Sequence, residues 1–465
     1  MRYLSTRGGA PELNFEGALL AGLASDGGLY VPETLPKFSN DQLSAMADLS
    51  YPELAYRVIE PFVGDTFSDG ELATLIDQAY ADFRHSAVAP LVQLDQQQWI
   101  LELFHGPTLA FKDFALQLFG RLLDAVLTRR GQKVVVLGAT SGDTGSAAIA
   151  GCKACSNIDV FILYPHQRVS EVQRRQMTTQ SSANVHNIAL EGDFDDCQSL
   201  VKASFKDQAF LPDGRSLVAV NSINWARIVA QIVYYFYAGL ALGAPHRPAS
   251  YSVPTGNFGD IFAGYLAKQM GLPISQLMIA TNRNNVLHRV LETGRYTRQS
   301  LHRTASPSMD ITVSSNFERL LLDACGSDPE QVAQLMQDLN QGEARLSNQA
   351  IAYVRSHFMS SFVDDAETIA TIREIHDGTG YLLDPHSAIG YAAARSGAQQ
   401  HPGSWVTLAT AHPAKFPEAI ADAEVNAIPT LPAHMEDLYD LEEHFSVLPA
   451  KLSAVQQHIQ KVISG

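Results

Sequence analysis

One residue in this sequence with reactive potential is a lysine at the start of an amphipathic run. In E-L-F-H-G-P-T-L-A-F-K-D, His105-Gly106-Pro107 reads as the end of a strand and Thr108 as a helix N-cap. Phe111, Phe114, Ala115, Leu118 and Leu122 then recur at helical spacing. Lys112 falls in the first turn, where its ammonium faces the positive end of the helix dipole and apolar neighbours disfavour the charge. An amine held partly neutral is what imine formation with an aldehyde requires. Asp113 would oppose this if it lay near the amine. Taken alone, the plainer reading is a surface lysine laid along its own helix.

Two glycine-rich turns could receive an anion. V-V-V-L-G-A-T-S-G-D-T-G is a buried strand that runs into a small-residue helix, and Ser141, Gly142, Asp143 and Thr144 sit at the turn beside helix-start N–H groups. It is not a G-x-G-x-x-G, and no G-K-[ST] follows, so a nucleotide fingerprint is absent. In S-V-P-T-G-N-F-G-D-I, Gly256 and Gly259 bracket Asn257 and Phe258, a pattern whose successive N–H groups can curl around a phosphate. Asp260 reads there as an N-cap whose charge must turn away from any dianion. Either turn could also be a tight strand-to-helix connection with no ligand.

Three more segments bear polar groups at strand or helix ends. In W-V-T-L-A-T-A-H-P-A-K-F, Thr410 ends a strand, followed by His412 and Lys415; its hydroxyl meets a ligand over the sheet or satisfies its own turn. In N-S-I-N-W-A-R, Ser222, Asn224 and Arg227 gather at a helix start, and the arginine can grip an oxyanion through two donors or salt-bridge to a carboxylate. Asp384 and His386 flank a proline and are as readily structural as catalytic. Cys152-x-x-Cys155 lies in an expected helix with no second Cys or His pair nearby, so no metal site is expected.

The elements that position these residues alternate. Apolar runs at 133–139, 159–165, 185–190, 216–220, 250–254, 276–281 and 405–410 have the continuous hydrophobicity of strands buried on both faces, with helical patterns between them. Residues 1–95 are expected to form a helical accessory domain. Residues 96–430 are expected to form an α/β core of two open, mainly parallel-sheet subdomains with a cleft between them, carrying an insertion at about 282–350. Residues 431–465 are expected to add a C-terminal helical extension. The chain has 465 residues, 46% hydrophobic and 18% charged, with a net charge of −16, which argues against disorder and against nucleic-acid binding. It has no apolar window of membrane-spanning length, its first residues do not read as an export signal, so export is not expected, and its four cysteines are too few for a disulfide framework. A cytoplasmic location without membrane partners is expected.

Together, the motifs E-L-F-H-G-P-T-L-A-F-K-D, G-A-T-S-G-D-T-G, N-S-I-N-W-A-R, P-T-G-N-F-G-D and T-A-H-P-A-K-F, in that order, resemble the threonine synthase family. The opening Y-L-S-T-R-G and S-D-G-G-L-Y-V-P resemble its longer form, which has an extra N-terminal domain. The resemblance implies a fold type II (β-family) pyridoxal 5'-phosphate enzyme, a lyase that converts O-phospho-L-homoserine and water to L-threonine and phosphate in threonine biosynthesis. It also implies a monomer. Lys112 would be the Schiff-base lysine; Gly256, Asn257, Phe258, Gly259 and Asp260 the cofactor-binding loop; and Thr410 the hydroxyl beside the pyridine nitrogen. Ser141, Gly142, Asp143 and Thr144 would face the substrate carboxylate and the cofactor's 3′ oxygen; many relatives carry Asn where this chain has Asp143. Ser222, Asn224, Arg227 and Lys415 are candidates for the leaving phosphate. Competing readings are a phospho-lyase that yields 2-oxobutyrate from the same substrate, a metabolite-binding relative without catalysis, and a nucleotide-dependent oxidoreductase.

Overall fold

The computed structural model describes residues 1–140 and 142–464. The chain divides into two compact units, one made of residues 1–105 and 222–429, the other of residues 106–221 and 430–465. Among the described residues no helix is long and apolar enough to cross a membrane.

The first unit is built on a six-stranded sheet in the order Met359–Phe362, Ile274–Thr281, Ala249–Pro254, Ser404–Ala409, Gln98–Glu102 and Leu91–Gln93. All neighbours are parallel except the last pair, a hairpin. Every residue of Ala249–Pro254 is buried, as a central strand covered on both faces must be. Because the central strands run the same way, Thr255, Asn282 and Thr410 emerge at one edge of the sheet. The strands expected at 250–254, 276–281 and 405–410 lie within a residue or two of these. The edge strand Met359–Phe362 is too short and too polar to be read from its own sequence.

Helix Trp225–Ala241 forms the spine of this unit, with every residue from Trp225 to Phe236 buried. The N-terminal helices pack on it. Tyr51, in helix Tyr51–Val63, lies 5.3 Å from Tyr237 ring to ring, and Trp225 packs at a tilt against both Tyr3 and Phe62. Those helices begin as their sequences require: Ser39 with Gln42 and Ser50 with Glu53 form capping boxes. An antiparallel pair, Tyr3–Ser5 with Tyr30–Pro32, joins the helices of the accessory region.

The second unit has a fully parallel five-stranded sheet in the order Ser446–Pro449, Val185–Glu191, Ile158–Pro165, Lys133–Ala139 and Arg215–Val218. The C-terminal segment thus adds a strand as well as its helix Leu452–Ser464. The small residues of helix Asp143–Cys152 allow contact between backbones. A Cβ on Gly120 would stand 2.1 Å from Gly151 O, and one on Gly151 2.2 Å from Leu116 O. This approach sets helix Lys112–Arg130 directly against the helix that starts at Asp143, and so fixes the two helix starts side by side.

Candidate active site

Lys112 is the first residue of its helix, and the N-cap is Phe111, which makes no side-chain capping bond. The expected cap, Thr108, is engaged elsewhere, its N–H and hydroxyl donating to Asp113 at 2.8 and 2.7 Å. Asp113 is therefore turned toward Thr108. The carboxylate that meets the amine is Asp143, whose Oδ2 lies 3.4 Å from Lys112 Nζ. Gln173 Nε2 donates to the other oxygen of Asp143 at 2.8 Å. The Lys112 side chain is 11% exposed, and its Nζ lies 5.2 Å from the centre of the Phe111 ring.

The turn before Asp143 is shaped by Thr140, whose hydroxyl oxygen accepts from Gly142 N at 2.9 Å and Gly145 N at 3.0 Å. Gly142 adopts φ 151°, and a Cβ there would lie 2.4 Å from Gln173 Cδ, so glycine is needed on both counts. Thr144 is half-buried on the first turn of the helix. Ser141 lies outside the described residues.

In the first unit, the loop after strand Ala249–Pro254 is tied down through its carbonyls. Gly256 O accepts from Ser314 Oγ at 2.7 Å, and Asn257 O accepts from both Asn316 N and Asn316 Nδ2 at 3.0 Å. Phe258 takes φ 66°, a left-handed conformation that needs enforcement in a non-glycine residue. Its ring is packed against Phe317, Phe358 and Phe262. With the carbonyls held outward, none of the backbone N–H groups of residues 256–260 has an acceptor among the described residues. That run of unspent donors at the start of helix Gly259–Gln269 has the form of a cradle that could receive an anion. A Cβ on Gly256 would stand 3.0 Å from Ser308 O, so bulk there would disturb the loop.

Asp260 is not the cap of that helix. It lies in the first turn, with Phe258 at the N-cap, and its carboxylate points back into the core. Tyr234 and Tyr235 hydroxyls approach its Oδ1 at 2.6 and 3.0 Å, while Oδ2 has no partner. Burial pushes its pKa up to about 7 against the opposing pull of the two tyrosines. The charge that would repel a dianion is thus turned away and partly neutralised.

The N-S-I-N-W-A-R segment adjoins the cradle. Ser222 O accepts from the same Asn316 Nδ2 at 3.1 Å, and Ser222 Oγ lies 3.5 Å from Ser315 Oγ, which in turn donates to Asn257 Oδ1. Asn224 is the N-cap of helix Trp225–Ala241: its Oδ1 accepts from Ala226 N, and its Nδ2 donates to Leu19 O at 2.9 Å. Its amide thereby positions the helix. Arg227 is 3% exposed, and its Nε and Nη1 have no hydrogen-bond partner. Burial drives its pKa down to about 10.

Thr410 is buried directly after strand Ser404–Ala409, and Lys415 is buried in the 3-10 turn Pro413–Lys415. His386 is a structural pin: its Nδ1 lies 2.6 Å from Asp384, and its Nε2 accepts from Ser308 N at 3.2 Å. No group of His, Cys, Asp and Glu able to hold a metal ion occurs among the described residues. Sequence reasoning missed Gln173, Tyr234, Tyr235, Asn316 and Arg319. None belongs to a recognisable motif; each is found only through what it touches.

The chain matches family models described as threonine synthase N terminus over residues 2–80, pyridoxal-phosphate dependent enzyme over residues 84–343, and threonine synthase C-terminal over residues 387–459. It is 58% identical to a threonine synthase of Pseudomonas aeruginosa, over 99% of this chain and 98% of that protein. A crystal structure of pyridoxal-phosphate-bound threonine synthase from Brucella melitensis superposes with a TM-score of 0.97 at 52% identity, covering 99% of both chains. The yeast threonine synthase structure gives 0.94 at 39% identity, over 100% of this chain and 99% of that one. With the lysine, the glycine turns and the anion cradle carried on a fold shared from end to end with these proteins, the chain belongs to the threonine synthase family.

Proposed function

We propose that the protein is a pyridoxal 5'-phosphate-dependent threonine synthase, a lyase that releases phosphate from O-phospho-L-homoserine and adds water to give L-threonine. The observation that carries the phosphorylated substrate is Arg227. A buried guanidinium with unspent Nε and Nη1 is costly in a protein that binds no anion, and a leaving phosphate supplies the missing acceptor. In a chain of net charge −16, such local positive groups must do the recruiting.

The residues present fit the cofactor. The unspent N–H groups of residues 256–260 suit its phosphate, and Lys112, shielded from solvent, is our choice for its covalent attachment as a Schiff base. When bound, pyridoxal phosphate withdraws electrons from the carbon bearing the substrate's amine and makes its proton acidic.

The chain's own groups account for the rest. Lys112 Nζ, once released from its tether, is the base for that proton, and Asp143 is placed to hold the ammonium that results. Thr410 is our choice for the group beside the pyridine nitrogen; its neutral hydroxyl, in place of a carboxylate, would temper electron withdrawal by the ring. Gly142, Asp143 and Thr144, with Ser141, are assigned to the substrate carboxylate and the cofactor's 3′ oxygen. Arg227, Ser222 and Lys415 are assigned to the phosphate, with Asn224 fixing the helix that carries the arginine. The cysteines are unpaired, in keeping with a reducing, cytoplasmic setting.

Incubation of the purified protein with O-phospho-L-homoserine tests the proposal. Phosphate and L-threonine should appear in equal amounts; phosphate with 2-oxobutyrate and no threonine would make the protein a phospho-lyase instead.

A further inference from the structure

Arg319 lies in helix Phe317–Ala324, far in sequence from every motif, and is 1% exposed. Each nitrogen of its guanidinium has a partner, and the partners come from separate parts of the first unit. Nε donates to Tyr30 O at 3.1 Å, Nη2 to Ile223 O at 2.6 Å and Nη1 to Asn316 Oδ1, while the group lies 5.6 Å from the centre of the Trp225 ring. Asn316 then uses its Nδ2 on Asn257 O and Ser222 O. One buried cation therefore joins the accessory region at Tyr30, the segment that leads to Arg227, and the loop whose N–H groups remain unspent.

We propose that Arg319 is a positioning residue for the cofactor's phosphate: acting through Asn316, it holds the Asn257 carbonyl outward and couples the cradle to the accessory strand Tyr30–Pro32. The physical reason lies in donor geometry. The amide of Asn316 can face two carbonyls only if its oxygen faces a donor, and the guanidinium fixes that orientation. Burial makes the arrangement stiff, because each of these carbonyls would be left without a partner if the amide turned. By linkage, whatever factor docking of the accessory strand adds to the cofactor's affinity, the cofactor adds to docking of that strand. This inference rests on the reading of residues 256–260 as a phosphate cradle.

The test uses full-length apoprotein titrated with pyridoxal phosphate, followed by its visible absorbance, alongside hydrogen exchange with and without the cofactor. Asn316→Asp keeps an oxygen toward Arg319, now in a charge-assisted contact, but sets an acceptor against Asn257 O and Ser222 O. It should lower the denaturation midpoint modestly, because Ser222 O loses its donor, and should bind pyridoxal phosphate about tenfold more weakly, the equivalent of one hydrogen bond of roughly 1.4 kcal/mol. Arg319→Met should weaken binding by a similar factor. In the wild-type protein the cofactor should slow amide exchange in residues 29–31, and in Arg319→Met it should not. A purely structural arginine would lower the denaturation midpoint yet leave the cofactor dissociation constant and the exchange response as in the wild type, and that result would overturn the proposal. A wild-type protein that does not bind pyridoxal phosphate at all would instead bring down the cradle reading itself.

Discussion

Replacing Arg227 by methionine separates a residue kept for a ligand from one kept for the fold. The guanidinium is 3% exposed, with Nε and Nη1 unpartnered, and its pKa has dropped to about 10 through burial. At ~1.36 kcal/mol for each factor of ten in proton affinity, that drop makes the charged side chain cost the substrate-free fold about 3 kcal/mol. Methionine has similar length, needs no partner and adapts to its surroundings. Substrate-free Arg227→Met should therefore be as stable as the wild type or more so, by up to about 3 kcal/mol, in urea unfolding in phosphate-free buffer. Turnover should move the other way. Two charge-assisted hydrogen bonds to the phosphate are worth roughly 1.5–3 kcal/mol each, so kcat/KM for O-phospho-L-homoserine should fall about 10²- to 10⁴-fold. With pyridoxal phosphate loaded, inorganic phosphate should stabilise the wild type and not the variant. A variant that is clearly destabilised but retains near-normal kcat/KM would show that the arginine serves packing and would refute this reasoning.

The buried carboxyl of Asp260 makes stability depend on pH. Its pKa is raised to about 7, so the folded apoprotein holds a proton that the unfolded chain has released, and this group's contribution falls as pH rises from about 4 to 7. Asp260→Asn should remove that loss, gaining stability relative to wild type across the same window, on the order of 4 kcal/mol in all and about 3 kcal/mol between the urea midpoints at pH 5 and 8, with no further gain at higher pH. Gly142→Ala would place a Cβ 2.4 Å from Gln173 at φ 151°, so it should lower the denaturation midpoint and weaken cofactor loading. The backbone strain alone should be worth about 1–3 kcal/mol.

Much of the fold was legible in the chain because buried parallel strands write continuous apolar runs. The run at 133–139 coincides with the observed strand Lys133–Ala139. Short edge strands carry no such signal, and Met359–Phe362 and Ser446–Pro449 form because a neighbouring strand offers free hydrogen-bonding groups. At the site, residue types in local motifs could be read, but their orientation could not. Thr108 and Asp260 both have the chemistry of helix caps, yet Asp113 claims the first and a pair of tyrosines from another helix claims the second. Gln173, Asn316 and Arg319 act across long sequence separations, on groups whose direction is set only by the finished packing, so no spacing rule reaches them.

The proposed chemistry depends throughout on Lys112 carrying the cofactor. Borohydride reduction of the purified holoenzyme, proteolysis and mass analysis of the peptides test this most directly. The pyridoxyl group should appear on the peptide containing Lys112 and on no other; a label on Lys415 or another lysine, or none at all, would contradict the assignment.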